Sequence, residues 1–419
     1  MRARRAAWIG GVLLAAACVE RVSAPGHCPS FCPSGQIEIV DTVLRDVISR
    51  DSTFRGYVTA LQSPLLLAAD LPGFADSRAI VRFNGFGRRF VLSAADTGAI
   101  LGADSARLQL WVARRDSGAH NLTLAFYRLP ITIDSTTTFT DLTGPFADSL
   151  VKRVNIDTLL ARPGHKDTIT GDSVVVDTIN HVLALSLKFD TAAARYVGTD
   201  SGTVAYGVRV SADSFASIGI TKRPLAWQWY LRVDSAGTVD SAGTPVARKP
   251  SSLGYAFASF VFDPPPPPLD STLAVGGVPS ARSILRIAFP HFIRDSSQII
   301  RGTLMLVPAA PARGARSDSF VVEAHTVFTD VGAKSPIILD ATRTDTAVIR
   351  VGTSDTVQIE VTNLLQFWAS DTTRATTLVL RAREEATSFS LIRFYPSVAP
   401  AFRPALRITF VRRFPFGQP

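Results

Sequence analysis

Charge is sparse in this 419-residue chain, at 19% Asp, Glu, Lys and Arg. Hydrophobic residues make up 46%. That much apolar content is enough for packed cores and argues against a disordered stalk. Long amphipathic helical stretches are missing, which excludes a helical bundle. Beyond the first twenty residues no segment approaches the roughly twenty uncharged apolar residues that a bilayer-spanning helix needs. Catalytic signatures are missing as well. The six histidines, His27, His120, His165, His181, His291 and His325, are dispersed, and none forms the i, i+4 pair of a helical zinc site. There is no G-x-S-x-G elbow and no P-loop. No aspartate cluster has the spacing of a calcium loop, so a structural calcium is not assigned.

Cysteine is also rare, and its three positions are informative. Arg2, Arg4 and Arg5 precede an apolar run from Trp8 to Ala17, and small residues then lead into Cys18. Basic, apolar and small in that order read as a secretory signal over residues 1–17. Arg4-Arg5 also allows a twin-arginine signal, although the flanking residues match it poorly. The stretch Leu14-Ala15-Ala16-Ala17-Cys18 resembles a bacterial lipobox, with Ala15 standing where Leu is usual. The resemblance implies acylation of Cys18 and membrane attachment through the lipid. Val19, rather than Asp, follows, which within the same resemblance implies the outer membrane. The alternative is an ordinary cleaved signal with a coincidental cysteine. If Cys18 carries lipid, Cys28 and Cys32 remain as a pair in Cys28-Pro29-Ser30-Phe31-Cys32. An oxidising compartment favours a small disulfide loop there. A metal site is the other option, with His27 its only local extra ligand.

What the chain has in abundance is strand pattern. Ala106 to Val112, Val204 to Val210 and Val357 to Val361 alternate apolar with polar residues. In the last, Val357, Ile359 and Val361 face one way while Gln358 and Glu360 face the other. Period two of this kind sets one face on a core and the other in water. Two segments read as helical turns, one after Asp177 and one after Val361. Asp-Ser and Asp-Thr pairs recur at strand ends, where their side chains bond nearby backbone in turns. Pro264 to Pro268 is a proline run, a semi-rigid spacer. Val233 to Thr244 duplicates V-D-S-A-G-T, a surface-loop sequence.

The chain also repeats one plan. Leu65 to Asp70 and Ser77 to Phe83 match Leu273 to Gly277 and Ser280 to Ile287. Asp104 to Leu110 matches Ile300 to Leu306, and Val174 to Ile179 matches Val357 to Thr362. Tyr206 to Val210 with Phe215 to Ile218 matches Thr377 to Arg381 with Phe389 to Ile392. Arg403 to Phe410 closes the second copy, and Tyr255 to Phe262 is the corresponding choice for the first. This order of elements resembles the DNRLRE-type domain of secreted bacterial proteins, a jelly-roll module related to a carbohydrate-binding module family. The polar motif that names that family is not present. The resemblance implies an all-β chain of two tandem jelly-roll-like β-sandwich domains. The expected divisions are a lipidated tether over 18–50, a first domain over 51–263 with insertions, a linker over 264–270 and a second domain over 271–415.

Ligand-binding candidates are few. Trp227 and Trp229 lie two apart, so on a strand they share a face. Two aligned indoles suit a sugar ring, but Gln228 and Tyr230 between and after them suggest that the opposite face is polar, which favours both indoles filling a core. Trp111 and Trp368 follow apolar runs and read as core. The net charge is +9, about +6 without the signal, and nearly all the cations are Arg scattered through strands. That suits an acidic partner or simply reflects Arg usage. Export argues against nucleic acid. The expectation is a non-catalytic lipoprotein of the cell envelope that binds polysaccharide, without a cofactor. Two alternatives stand beside it. One is a structural or protein-docking envelope module, and the other is an extracellular hydrolase with a carboxylate pair brought together in space.

Overall fold

Alternation of apolar and polar residues builds antiparallel strands throughout. In the computed structural model the described residues are 39–56, 58–85, 89–93, 96–190, 192, 202–234, 247–248, 253–264, 270–315, 319–330 and 337–412. Cys18, Cys28, Cys32 and His27 lie outside them, as do Pro265 to Pro268 and most of the V-D-S-A-G-T duplication. The chain is all-β, with β-sandwich character.

Two strands come first, β1 (Ile39–Leu44) and β2 (Ile48–Arg55). The first half then runs β3 (Leu65–Leu71), β4 (Ala75–Phe83), β5 (Arg89–Ser93), β6 (Asp96–Arg115), β7 (Thr123–Leu129), β8 (Leu150–Asn155), β9 (Ser173–Asp177), β10 (Val182–Phe189), β11 (Val204–Ser211), β12 (Ala216–Asp234), β13 (Ala247–Arg248) and β14 (Leu253–Asp263). These form one sheet in the order β8-β7-β11-β4-β14-β12-β6-β10-β9, with β3, β5 and β13 paired alongside. The sheet folds over on itself, because β4, β7 and β11 share a core with β6, β10 and β12. Phe83, Phe126 and Tyr206 meet Leu108, Phe189 and Trp227 there.

The second half runs β15 (Leu273–Gly276), β16 (Ala281–Ile287), β17 (Ser297–Leu306), β18 (Pro308–Gly314), β19 (Ser319–Thr329), β20 (Ile338–Arg350), β21 (Val357–Glu360), β22 (Thr377–Ala382), β23 (Ser390–Phe394) and β24 (Ala405–Arg412). Its two sheets are β18-β23-β15-β16-β22-β19-β20, with β2 on β16, and β1-β24-β17-β21. Leu285, Leu380 and Phe394 of one sheet pack on Leu304, Ile359 and Phe410 of the other. A third cluster joins the halves: Leu67, Leu71 and Phe260 pack with Val278, Ala315 and Phe389. The described residues from Val40 onward group as one compact unit.

The first two strands therefore belong to the sheets of the second half. Residues 39–55, which the sequence pattern divides between a tether and the first half, pair with β24 and β16. Local patterning cannot reveal this, because it shows that a strand exists but not where its partner lies.

The two halves correspond strand by strand. On β4, Arg78, Ile80 and Arg82 alternate with the core residues Ala79, Val81 and Phe83. On β16, Arg282, Ile284 and Arg286 occupy the same register, since Arg82 lies opposite Ala205 of β11 and Arg286 opposite Thr377 of β22. The counterpart of β21, the partner of β17, is β10, the partner of β6; it is not the Val174 to Ile179 segment that the sequence match selects. Likewise β24 corresponds to the latter part of β12, whereas β14 corresponds to β2.

One of the two expected helical turns forms. Thr362–Ser370 is a helix that buries Leu364, Leu365 and Trp368. The segment after Asp177 instead turns sharply into β10. Asp177 Oδ1 accepts the backbone N–H groups of Ile179 and Asn180 at 2.9 Å, and His181 takes a left-handed φ of 53°. That Asx turn makes β9 and β10 a hairpin.

Candidate functional site: a basic depression on the first half

Trp227 and Trp229 are fully buried, each 0% exposed. Trp227 packs on Tyr206 with ring centroids 4.6 Å apart, on Phe189 at 5.0 Å and on Trp229 at 5.6 Å. They share a face as the spacing predicts, but it is the inner one, so neither indole is available to a sugar. Gln228 between them is buried as well, which removes the polar outer face that would have marked the strand as half-exposed. Trp368 is core as expected, whereas Trp111 is only half-buried. It shares the outward side of β6 with Arg107 and Gln109, since Leu108, Leu110 and Val112 take the inward side. An odd–even count along β6 separates the two sides, and that signal was present in the sequence.

The outer face of β7, β8 and β11 carries a depression of about 550 Å³. Its walls include Asp70, Thr123, Tyr127, Arg153, Arg209 and Ser211. Registry explains the grouping. Arg209 sits opposite Ala125, and Ala125 sits opposite Arg153 on the other side. A methyl group between two guanidinium stems leaves the floor low. Tyr127 lies next along β7 and is buried against Phe146, ring centroids 5.0 Å apart. Phe146 comes from the short helix Thr143–Asp148, which covers the neighbouring part of the sheet. That cover requires Gly207, because a Cβ there would lie 2.2 Å from the Phe146 ring.

Charge on this face is unevenly matched. Arg209 has only a long contact to Asp76, 3.5 Å, and Asp76 also accepts from Arg78 at 3.1 Å. Arg78 is itself sandwiched between Phe139 and Phe146, its guanidinium carbon 4.0 and 4.7 Å from their centroids. Arg153 is exposed. The depression thus presents guanidinium donors and the hydroxyls of Thr123 and Ser211, with Asp70 as the acidic member.

The same positions in the second half are closed. Glu323 stands where Ala125 stands, His325 where Tyr127 stands, and Arg381 where Arg209 stands. Glu323 accepts from Arg381 at 3.0 Å, Arg383 at 2.8 Å and His325 at 3.0 Å. Burial acts to raise the Glu323 pKa, but the hydrogen bonds from Arg383, His325 and Arg381 outweigh it and hold the carboxyl at about 2. Its cations are therefore committed to a partner within the fold. A wider groove of about 750 Å³ between the halves is committed in the same way. There Arg114 meets Glu384 at 3.3 Å, and Glu385 is held by Arg282 at 2.6 Å.

Among the described residues no three His, Cys, Asp or Glu side chains gather as a metal site. Among the same residues no helix is long and apolar enough to cross a membrane. No family model matches the chain, and no curated protein matches it.

Proposed function

We propose that the chain is a non-catalytic, lipid-anchored envelope protein that binds an acidic polysaccharide in the depression beside Arg153 and Arg209. One observation carries this reading: at equivalent positions Glu323 neutralises Arg381 in one half, while in the other Ala125 stands in place of that carboxylate and Arg209 lines an open hollow beside Arg153. Guanidinium groups bind carboxylate and sulfate in paired, directional hydrogen bonds. The rigid sheet beneath holds them in place, so little order is lost on binding. Acylation of Cys18 supplies the anchor in this proposal, and Cys28 with Cys32 closes a small loop at its start.

The test is a glycan array probed with the protein, followed by titration of the strongest acidic and neutral ligands. Arg153→Ala with Arg209→Ala is expected to weaken acidic-glycan binding by tenfold or more, about 1.4 kcal/mol. Rising salt is expected to weaken it as well. Equal affinity for neutral glycans, or a double variant that binds unchanged, removes the proposal. Mass spectrometry of the cellular protein tests the anchor separately, through the acyl mass on Cys18.

A specific feature favours a second reading, a protein-docking module. The edge strand β9 pairs with β10, is bridged at Ser173 to Lys166, and exposes Val175 and Val176, at 62% and 46%. An edge that exposes adjacent valines is suited to strand addition by another protein. Crosslinking in cells that traps a partner at β9, together with a silent glycan array, selects this reading.

A further inference from the structure

The strand that closes the second half comes from outside that half's own run of sequence, whereas the first half is closed by its own last strand. In the first half β14 lies on β4, with Val261 opposite Arg78 and Ser259 opposite Ile80. In the second half β2 lies on β16, with Phe54 opposite Arg282 and Ser52 opposite Ile284. Because Arg78 and Ile80 correspond to Arg282 and Ile284, β2 and β14 fill the same slot. They also hold the same place in sequence. Residues 56–64 separate β2 from β3, and residues 264–272, a spacer of equal length, separate β14 from β15. β14 closes the body it follows, while β2, which leads the chain, crosses to close the body that ends it.

We infer that the β1–β2 segment is exchangeable, and that its alternative acceptor is the β16 slot of a second copy of this chain. The junction needed between copies is already made within one chain, where the segment leading the second half closes the first. A head-to-tail contact of that kind closes into rings or extends into fibres.

The two closing strands are not held equally. β14 buries Ala258, Phe260 and Val261, and Phe260 and Phe262 pack on Phe389 at 6.3 and 5.8 Å between centroids. In the β1–β2 segment only Val47 and Ile48 are buried. Arg50 sits directly opposite Arg286, whose charge is already taken by Asp330 at 2.7 Å, so Arg50 adds no cross-strand attraction. Asp41 to Arg407 and Asp46 to Arg403 are surface ion pairs, which hold weakly. Local opening therefore begins at β1–β2.

The experiment uses the full chain with Cys18, Cys28 and Cys32 replaced by serine. Thr53 and Ser283 lie opposite each other with their hydroxyl oxygens 3.2 Å apart, a spacing suited to a disulfide. One tagged copy carries Thr53→Cys and a differently tagged copy carries Ser283→Cys. After mixing and oxidation, a disulfide between the two tags is expected. A tenfold rise in concentration is expected to raise the ratio of linked to unlinked chains by about tenfold while linkage is low, by mass action. Thr53→Cys/Ser283→Cys in one chain, oxidised beforehand, is expected to stay monomeric. As a second measurement, two tagged copies without these cysteines are incubated together and co-purified, with the locked chain as the blocked control. Disulfide formation confined to the double variant, with no co-purification of unlocked copies, overturns the inference.

Discussion

Glu323 shows how one side chain decides the character of a surface. Its carboxylate gathers Arg381, Arg383 and His325, and the face around it closes. Its pKa sits at about 2, below the ordinary 4.5, so its contribution to stability is complete above about 4.5 and is lost as pH falls through about 2. Glu323→Gln is expected to cost about 3 kcal/mol at neutral pH, because two guanidiniums lose their counter-charge. Denaturant melts at pH 7 and pH 2.5 check this. The difference between the two proteins should shrink at the lower pH. Trp227→Ala is expected to cost about 3–5 kcal/mol, since a fully buried indole leaves a large cavity. The same melts read it, and retained stability would contradict core placement. The pairing of Trp227 with Trp229 on one face was legible from their spacing, and the polar Gln228 and Tyr230 already favoured the inward face that both indoles take. The Arg153 and Arg209 grouping was likewise illegible, because it depends on β7 lying between β8 and β11.

At the scale of elements, strand existence was readable and strand partnership was not. Val357 to Glu360 forms β21 with Val357 and Ile359 buried, as period two requires. The helix after Val361 formed because Leu364, Leu365 and Trp368 recur at helical spacing and meet the sheet through Gly302, where a Cβ would lie 2.2 Å from Leu365. The segment after Asp177 shows the opposite outcome. Its apolar residues fit either period, and the Asp177 turn decides for a hairpin. The contact of Gly207 with Phe146 gives an element-scale prediction. Gly207→Ala is expected to cost about 1–3 kcal/mol by forcing the Thr143–Asp148 helix off the sheet. A double-mutant cycle with Phe146→Ala is expected to show the penalty largely relieved, because the clash is with that ring alone. Additive losses would mean that Gly207 matters for another reason.

At the scale of the whole molecule, the repeat was visible in sequence as paired strand motifs, but the crossing of the leading strands was not. Motif matching aligns bodies and is blind to a strand that leaves its own body. A chain lacking residues 1–56 is therefore expected to loosen the second half and spare the first. Hydrogen exchange should rise in β16 and β24, the partners of β2 and β1, and stay unchanged in β4 and β11. Faster exchange in β4 instead would place the missing strand in the first half. The order in which the polypeptide emerges gives this crossing a further consequence. The segment at 39–55 leaves the ribosome early, yet its seat needs β16 at 281–287 and β24 at 405–412. At ordinary elongation rates that is a wait of some tens of seconds. Until residue 263 arrives, the matching seat on β4 stands vacant within reach of the early strand. A chain that folds in order of emergence is therefore expected to meet a decoy pairing, and a helper that shields the leading segment to raise the yield of correctly threaded molecules.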